Sequence, residues 1–129
     1  MSDNGHVLDS SAVLAVAFKE RGAETVYPIL DLAWISAVNL SEVVAKLQEH
    51  GASDDDIVAT LNDLDLNVVS FEREAAIRAG AMRASTRAKG LSLGDRACIA
   101  LAVERNATVV TTDKAWAELA LPIPVLLIR

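Results

Sequence analysis

Short apolar runs alternate with longer stretches of helical periodicity along this chain. The first run, His6-Val7-Leu8, ends at Asp9 and predicts a strand over about 6–9. Ser10-Ser11 and the apolar run from Ala12 then open a helix from Ser11 to about Arg21, which Gly22 breaks. A second helical piece follows over about 23–32, with Pro28 in its first turn or kinking it. Residues 34–38 read as a strand. A helix starts at Asn39, runs to His50 and stops at Gly51. Ser53 and three acids, Asp54 to Asp56, open the next helix, where negative charge is favourable. Residues 66–71 predict a strand and 72–89 one long helix closed by Gly90. An Ala-rich, buried helix covers 94–106. A strand over 108–112, a short helix over 113–119 and a closing strand over 124–128 complete the pattern.

Strands alternating with helices predict an α/β fold with a parallel sheet of about five strands and helices on both faces. No linker, repeat or low-complexity tract divides the chain, so residues 1–129 read as a single domain. In such sheets ligands bind beyond the C-terminal ends of the strands, where strand order reverses. Asp9 and Asp113 each follow a predicted strand. If strands 1 and 4 are central neighbours, these carboxylates converge.

Composition narrows the class. Of 129 residues, 52% are hydrophobic but only 4% aromatic. That suits closely packed aliphatic helices on a parallel sheet, with some apolar surface left for a partner. One cysteine, Cys98, excludes an internal disulfide framework and a cysteine zinc site, and suits a reducing, cytoplasmic setting. No secretory signal pattern opens the chain, and the longest apolar run, Leu119 to Ile128, contains two prolines and is too short to span a membrane. The net charge of −6 argues against nucleic acid by itself. However, residues 73–96 hold six cations (Arg73, Arg78, Arg83, Arg87, Lys89 and Arg96) against two acids, net +4, leaving −10 elsewhere. A basic segment in an acidic protein is compatible with phosphate binding, or is a solvated helix face.

Four acids have the right placement for chemistry: Asp9, Glu42, Asp95 and Asp113. Each also has a capping explanation. Asn39 to Glu42 and Ser92 to Asp95 have capping-box spacing, and Asp9 and Asp113 suit N-caps. All four nevertheless fall at or just after the C-terminal edge of the sheet. Carboxylates gathered there repel one another unless a cation is present. Hard divalent ions such as Mg²⁺ and Mn²⁺ prefer such oxygen ligands, and suit metal-assisted phosphoryl chemistry. The two histidines, His6 and His50, fall at a predicted buried strand and a helix end. A paired-histidine attack through an RNA 2′-hydroxyl is therefore poorly supplied.

The segments VLDSSAVLA, ISAVNLSEVVAKL, GLSLGDRACIALA and VVTTDKAWAEL, in this order, resemble the successive motifs of PIN-domain ribonucleases, and more narrowly the VapC-type toxins of toxin–antitoxin pairs. The resemblance runs from about residue 6 to the C-terminus. It implies a three-layer α/β/α sandwich and endonucleolytic cleavage of RNA with Mg²⁺ or Mn²⁺. Asp9, Glu42, Asp95 and Asp113 map onto the family's catalytic, metal-binding acids, and Ser10 and Thr112 onto its small polar residues. It also implies a homodimer and a VapB-like antitoxin that covers the acids. Many members carry a further acid shortly after the last Asp; here the next is Glu118, which bears on a second metal site. Arg96 and Lys114 each follow a site acid, and either contact the scissile phosphate or balance the acids. Trp116 packs or stacks on a base. A housekeeping RNA-processing PIN nuclease and a non-cleaving PIN module remain as alternatives. An aspartyl-phosphate phosphatase would want a second Asp where Ser11 stands.

Overall fold

The computed structural model describes residues 5–129, so residues 1–4 of the expected domain lie outside it. Among the described residues five strands, β1 His6–Leu8, β2 Trp34–Ser36, β3 Asn67–Val69, β4 Thr108–Thr111 and β5 Val125–Leu127, form one sheet in the order β3-β2-β1-β4-β5. Every neighbouring pair is parallel, as helical crossovers between successive strands require. Strand 1 and strand 4 are central neighbours, the condition on which Asp9 and Asp113 converge. Chain order reverses between them, which makes the β1–β4 crevice the switch point of the sheet.

Seven α-helices among the described residues flank the sheet: α1 Ser10–Ala17, α2 Ala23–Val26, α3 Ala37–Glu49, α4 Asp54–Leu64, α5 Arg73–Ala81, α6 Arg83–Thr86 and α7 Leu93–Arg105. Side chains alternate across each strand, so every central strand feeds two cores. Leu8, Ile35 and Val110 pack with Val13 and Val16 of α1 and Val43 and Leu47 of α3. Val7 and Val109 pack on the other face with Cys98, Ile99 and Leu101 of α7 and with Trp116. This is the predicted three-layer α/β/α sandwich. No helix among the described residues is long and apolar enough to cross a membrane.

Several boundaries differ from those the sequence predicts. The third helix starts at Ala37, not Asn39, because the Ser36 hydroxyl accepts the Val38 N–H and takes the N-cap. Asn39 therefore lies inside the first turn and caps nothing. Helix α1 stops at Ala17, and Lys19 turns the chain with φ 55° before Gly22 is reached. Pro28, which has no N–H, leaves α2 at four residues followed by a 3₁₀ turn, Tyr27–Ile29. The helix expected over 72–89 breaks at Met82 into α5, α6 and a 3₁₀ turn, Arg87–Lys89. There the Met82 carbonyl accepts the hydroxyls of Ser85 and Thr86 as well as the Thr86 N–H. The short helix expected over 113–119 is a 3₁₀ turn, Lys114–Glu118.

Ile99 has no exposed surface and sits where α7 crosses the sheet. Truncation to Ala removes three methylene-sized groups from a packed layer and should cost about 2–5 kcal/mol in urea unfolding. An Ile99→Ala chain within about 1 kcal/mol of wild type would show that this layer is loosely packed.

Candidate active site

The parallel register pairs Val7 with Val109 and Leu8 with Val110, and the ladder ends with the Asp9 N–H on the Val110 carbonyl at 3.1 Å. Asp9 is thereby set beside Thr111 at the C-terminal end of the two central strands. Its side chain is 5% exposed. It does cap α1, since Oδ1 accepts the Ala12 N–H at 2.9 Å. It also accepts the Ser11 hydroxyl on Oδ1 at 2.6 Å and the Thr111 hydroxyl on Oδ2 at 2.5 Å. The cap and the candidate catalytic role share one carboxylate.

Burial pushes the Asp9 carboxyl up from 3.8 to about 6, with the Asp95 charge adding to the rise. The hydrogen bonds from Ser11, Thr111 and Ala12 only partly offset this. Nearby on α7, burial pushes the Cys98 thiol well above its ordinary value, and the charges of Asp9, Asp95 and Glu42 push it further. Three of the four predicted acids thus act on one small region between the sheet edge and the start of α7.

Because α3 starts two residues early, Glu42 has no capping role. It is held instead by Asn39, which is 1% exposed and whose Nδ2 donates to Glu42 Oε1 at 2.9 Å and to the Gly94 carbonyl at 3.0 Å. One amide therefore fixes a carboxylate of α3 and ties α3 to the first turn of α7. Its Oδ1 is buried without a partner among the described residues. Gly94 completes the contact, since a Cβ built there would overlap the Glu42 carboxylate. Asp95 does form the capping box predicted for it, accepting the Ser92 N–H on Oδ2 at 3.0 Å while Ser92 Oγ accepts the Asp95 N–H. Asp113 is exposed and caps its 3₁₀ turn, accepting the Ala115 N–H on Oδ1. Its own N–H donates to Thr111 Oγ1 at 3.0 Å, one hydroxyl away from Asp9.

The hydroxyls that reach Asp9 are those of Ser11 and Thr111, each one position from the Ser10 and Thr112 expected from the motifs. Thr112 contributes its N–H, which donates to Ser11 Oγ at 3.0 Å and joins the two central strand ends. Strand parity carried the signal for Thr111, which shares a sheet face with Val109. The signal for Gly94 was a glycine in the first turn of an otherwise strong helix. Arg96 does not face the acids. It is buried, and its Nη1 donates to the Ala79 carbonyl in the last turn of α5 at 2.9 Å, so it links two helices. Lys114 is exposed beside Asp113. Trp116 is fully buried, which decides for packing over base stacking. Trp34 carries the Arg105 guanidinium 4.6 Å over its ring. A cavity of about 1050 Å³ opens near Trp34, Val69, Glu72 and Arg105, and none of the four acids lines it.

Among the described residues, no three His, Cys, Asp or Glu side chains stand close enough together to hold an ion by themselves. The donors nevertheless suit a hard divalent cation. They are carboxylate oxygens, one of them desolvated, with the unpartnered Asn39 oxygen beside Glu42. An ion such as Mg²⁺ takes one or two carboxylates and fills its other positions with water or phosphate oxygens.

Asp9 gives a pH dependence of known sign. Its folded pKa lies above its unfolded value, so the folded state binds the proton more tightly. In metal-free protein this contribution to stability is present below about pH 4 and is lost as pH rises to about 6, by about 3 kcal/mol. Asp9→Asn keeps an N-cap and removes the charge. Melts in EDTA from about pH 4 to 7 should show the decline in wild type and not in the variant; parallel curves would place the burial cost elsewhere. A second expectation concerns Gly94→Ala. The Glu42 side chain can swing away from the new methyl, so the melting temperature should move by only a few degrees. Any activity that depends on the Glu42 position should fall at least tenfold, and retention of full activity would remove Glu42 from the site.

The family model described as PIN domain matches residues 6–121. No curated protein matches the chain. Among solved structures, a toxin–antitoxin complex from Klebsiella pneumoniae is similar with a TM-score of 0.75 at 18% identity, over 97% of this chain and 98% of that one. A DNA-bound VapBC from Salmonella typhimurium gives a TM-score of 0.75 at 21% identity, over 97% and 98%. VapBC-5 from Mycobacterium tuberculosis gives 0.65 at 25% identity, over 98% of each chain. The family match covers nearly the whole chain, and the sheet order, the switch point and the matched architectures agree with it: the chain belongs to the PIN domain family.

Proposed function

We propose that this protein is a metal-dependent endoribonuclease and the VapC-type toxin of a toxin–antitoxin pair. PIN domains are generally divalent-metal-dependent nucleases. The observation that carries the reading is Asp9, a carboxylate buried at the switch point at an electrostatic cost, within reach of the charge of Asp95 and wired through Thr111 to Asp113. A helix cap needs no such burial, whereas a cation ligand is stabilised by it when the cation is bound.

Asp9, Glu42, Asp95 and Asp113 would hold Mg²⁺ or Mn²⁺, which supplies activated water and neutralises developing charge on a phosphodiester. The chain's own residues set the geometry. Ser11 and Thr111 orient the two oxygens of Asp9. Asn39 and Gly94 fix Glu42 against α7. The Ser92 box sets the direction of Asp95. His6 begins β1, at the opposite end of the strand from Asp9, and His50 caps the far end of α3, where its Nδ1 lies 2.9 Å from the Lys46 carbonyl. Neither imidazole is placed for general acid–base work at these carboxylates. That placement favours attack by water over attack by the RNA 2′-hydroxyl.

The partner reading rests on the neighbours, several of which are toxin–antitoxin complexes, and on the apolar residues left exposed, among them Tyr27 and Leu32 at the end of the early helices. It takes a VapB-like antitoxin and a second copy of the chain as partners, and a cytoplasmic location.

Cleavage of RNA should require Mg²⁺ or Mn²⁺ and leave 5′-phosphate and 3′-hydroxyl ends. Asp9→Asn should lower the rate by at least a hundredfold. Mapping of cleaved ends after parallel induction of wild type and Asp9→Asn tests both points. Products ending in 2′,3′-cyclic phosphate, or full cleavage in excess EDTA, would rule the hydrolytic scheme out.

A further inference from the structure

The basic segment 73–96 resolves into two kinds of cation. Four have partners. Arg73 pairs with Glu74 at 2.9 Å, Arg78 with Glu104 at 3.5 Å and Lys89 with Glu118 at 3.6 Å, while Arg96 is buried on the Ala79 carbonyl. Arg83 and Arg87 are exposed and form no ion pair among the described residues. Arg83 begins α6 and Arg87 opens the 3₁₀ turn that follows it, with Thr86 at φ −112° breaking the helix between them. Lys114, likewise exposed and unpaired among the described residues, stands next to Asp113.

The segment carrying Arg83 and Arg87 is fixed to the body of the protein. Met82 and Leu91 pack against the core that includes Trp116, and so does Leu119. Thr86, between the two arginines, is buried. The Lys89–Glu118 pair joins the segment to the 3₁₀ turn that Asp113 caps. At its far end Gly90 turns the chain, with φ 67°, directly into Ser92 and Asp95. The segment is therefore anchored while both arginines stay in solvent. A chain with net charge −6 has acids enough to pair them, yet neither is paired among the described residues. They gain an opposite charge when an anion binds there.

From this placement the structure assigns Arg83 and Arg87, with Lys114 beside Asp113, as the track for the phosphodiester backbone of a single-stranded RNA entering the carboxylate site. This rests on the ribonuclease reading and names the surface that reading uses. RNA is favoured over an acidic protein segment because the chain that carries the arginines continues through Gly90 into Ser92 and Asp95, and is paired through Lys89 to the turn that Asp113 caps. A polyanion reaching Asp95 and Asp113 needs cations on the approach to offset repulsion, whereas a protein ligand can avoid the acids. Interactions of this kind go to phosphates and carry no base preference.

The test uses the whole protein and an unstructured RNA oligonucleotide. Arg83→Gln/Arg87→Gln keeps helix propensity and touches nothing buried, so its melting curve should overlay wild type. Binding is measured in EDTA across a salt series, and cleavage in Mg²⁺. The double variant should bind roughly tenfold more weakly at low salt. The slope of log affinity against log salt should shrink by about 1.4, because each phosphate neutralised on a single strand contributes about 0.7 and the variant neutralises two fewer. KM should rise with kcat unchanged, and Arg83→Lys/Arg87→Lys should restore most of the affinity. Cleavage by both proteins with equal KM and equal salt slope would overturn the track and leave the nuclease reading standing. RNA binding that depends on the two arginines without cleavage would support the track and remove the nuclease reading. Unchanged RNA binding together with a weakened complex with a co-encoded protein would overturn the track and reassign the strip to a protein partner. A wild type that neither binds nor cuts RNA would overturn both.

Discussion

The pairing of β1 with β4 is the constraint on which the rest of this structure depends. Parallel strands need crossovers, and crossovers put helices on both faces. The two strands that meet at the centre lie near opposite ends of the chain, and their shared register sets Asp9 beside Thr111. From that contact follow the hydroxyl bond that orients Asp9, the link through Thr111 to Asp113, and the Thr112 N–H on Ser11 that closes the strand ends together. A slip of one residue would point Thr111 to the other face and break all three.

A second tie holds the other half of the site. Asn39 would be an ordinary polar residue on a solvated helix. Buried between α3 and α7, it uses its amide nitrogen on both the Glu42 carboxylate and the Gly94 carbonyl. Gly94 permits the approach because no Cβ stands in the way. The position of Glu42 is thus set by two residues that are not acids. The site depends on helix–helix packing as much as on the sheet.

Electrostatically the molecule is divided. Asp9 sits where burial raises the cost of its charge, visible in its rise to about 6, and the acids together raise the Cys98 thiol. Most of the nearby cations do not relieve that cost. Arg96, the residue after Asp95, turns away to the end of α5, and Lys89 pairs with Glu118. Arg83 and Arg87 are exposed to solvent. Negative charge at the switch point and uncommitted positive charge on the segment leading to α7 are suited to a bound cation and an anionic chain.

The sequence by itself determined the class of fold and singled out the acids of the candidate site. Short apolar runs at five places, each separated by helical periodicity, are a local signal, and they were enough to specify a parallel sheet of five strands. The capping roles of Asp9, Asp95 and Asp113 were legible because strand ends and capping motifs are local too, and each of the three does cap. What the tertiary structure decided were the contacts between segments far apart in the chain. The choice of Ser11 and Thr111 over their neighbours was completed by the β1–β4 register, which no local pattern fixes. Ser36 displaced Asn39 as the cap, and the approach of α7 gave Asn39 a second partner, the Gly94 carbonyl, beside Glu42. The helix over 72–89 broke at Met82, whose carbonyl gathers two hydroxyls besides the Thr86 N–H, a local arrangement that helix propensity does not rank. Arg96 faced away from the acids because the direction of a long side chain follows the helix packed against it, and the helix that received it, α5, lies elsewhere in the sequence.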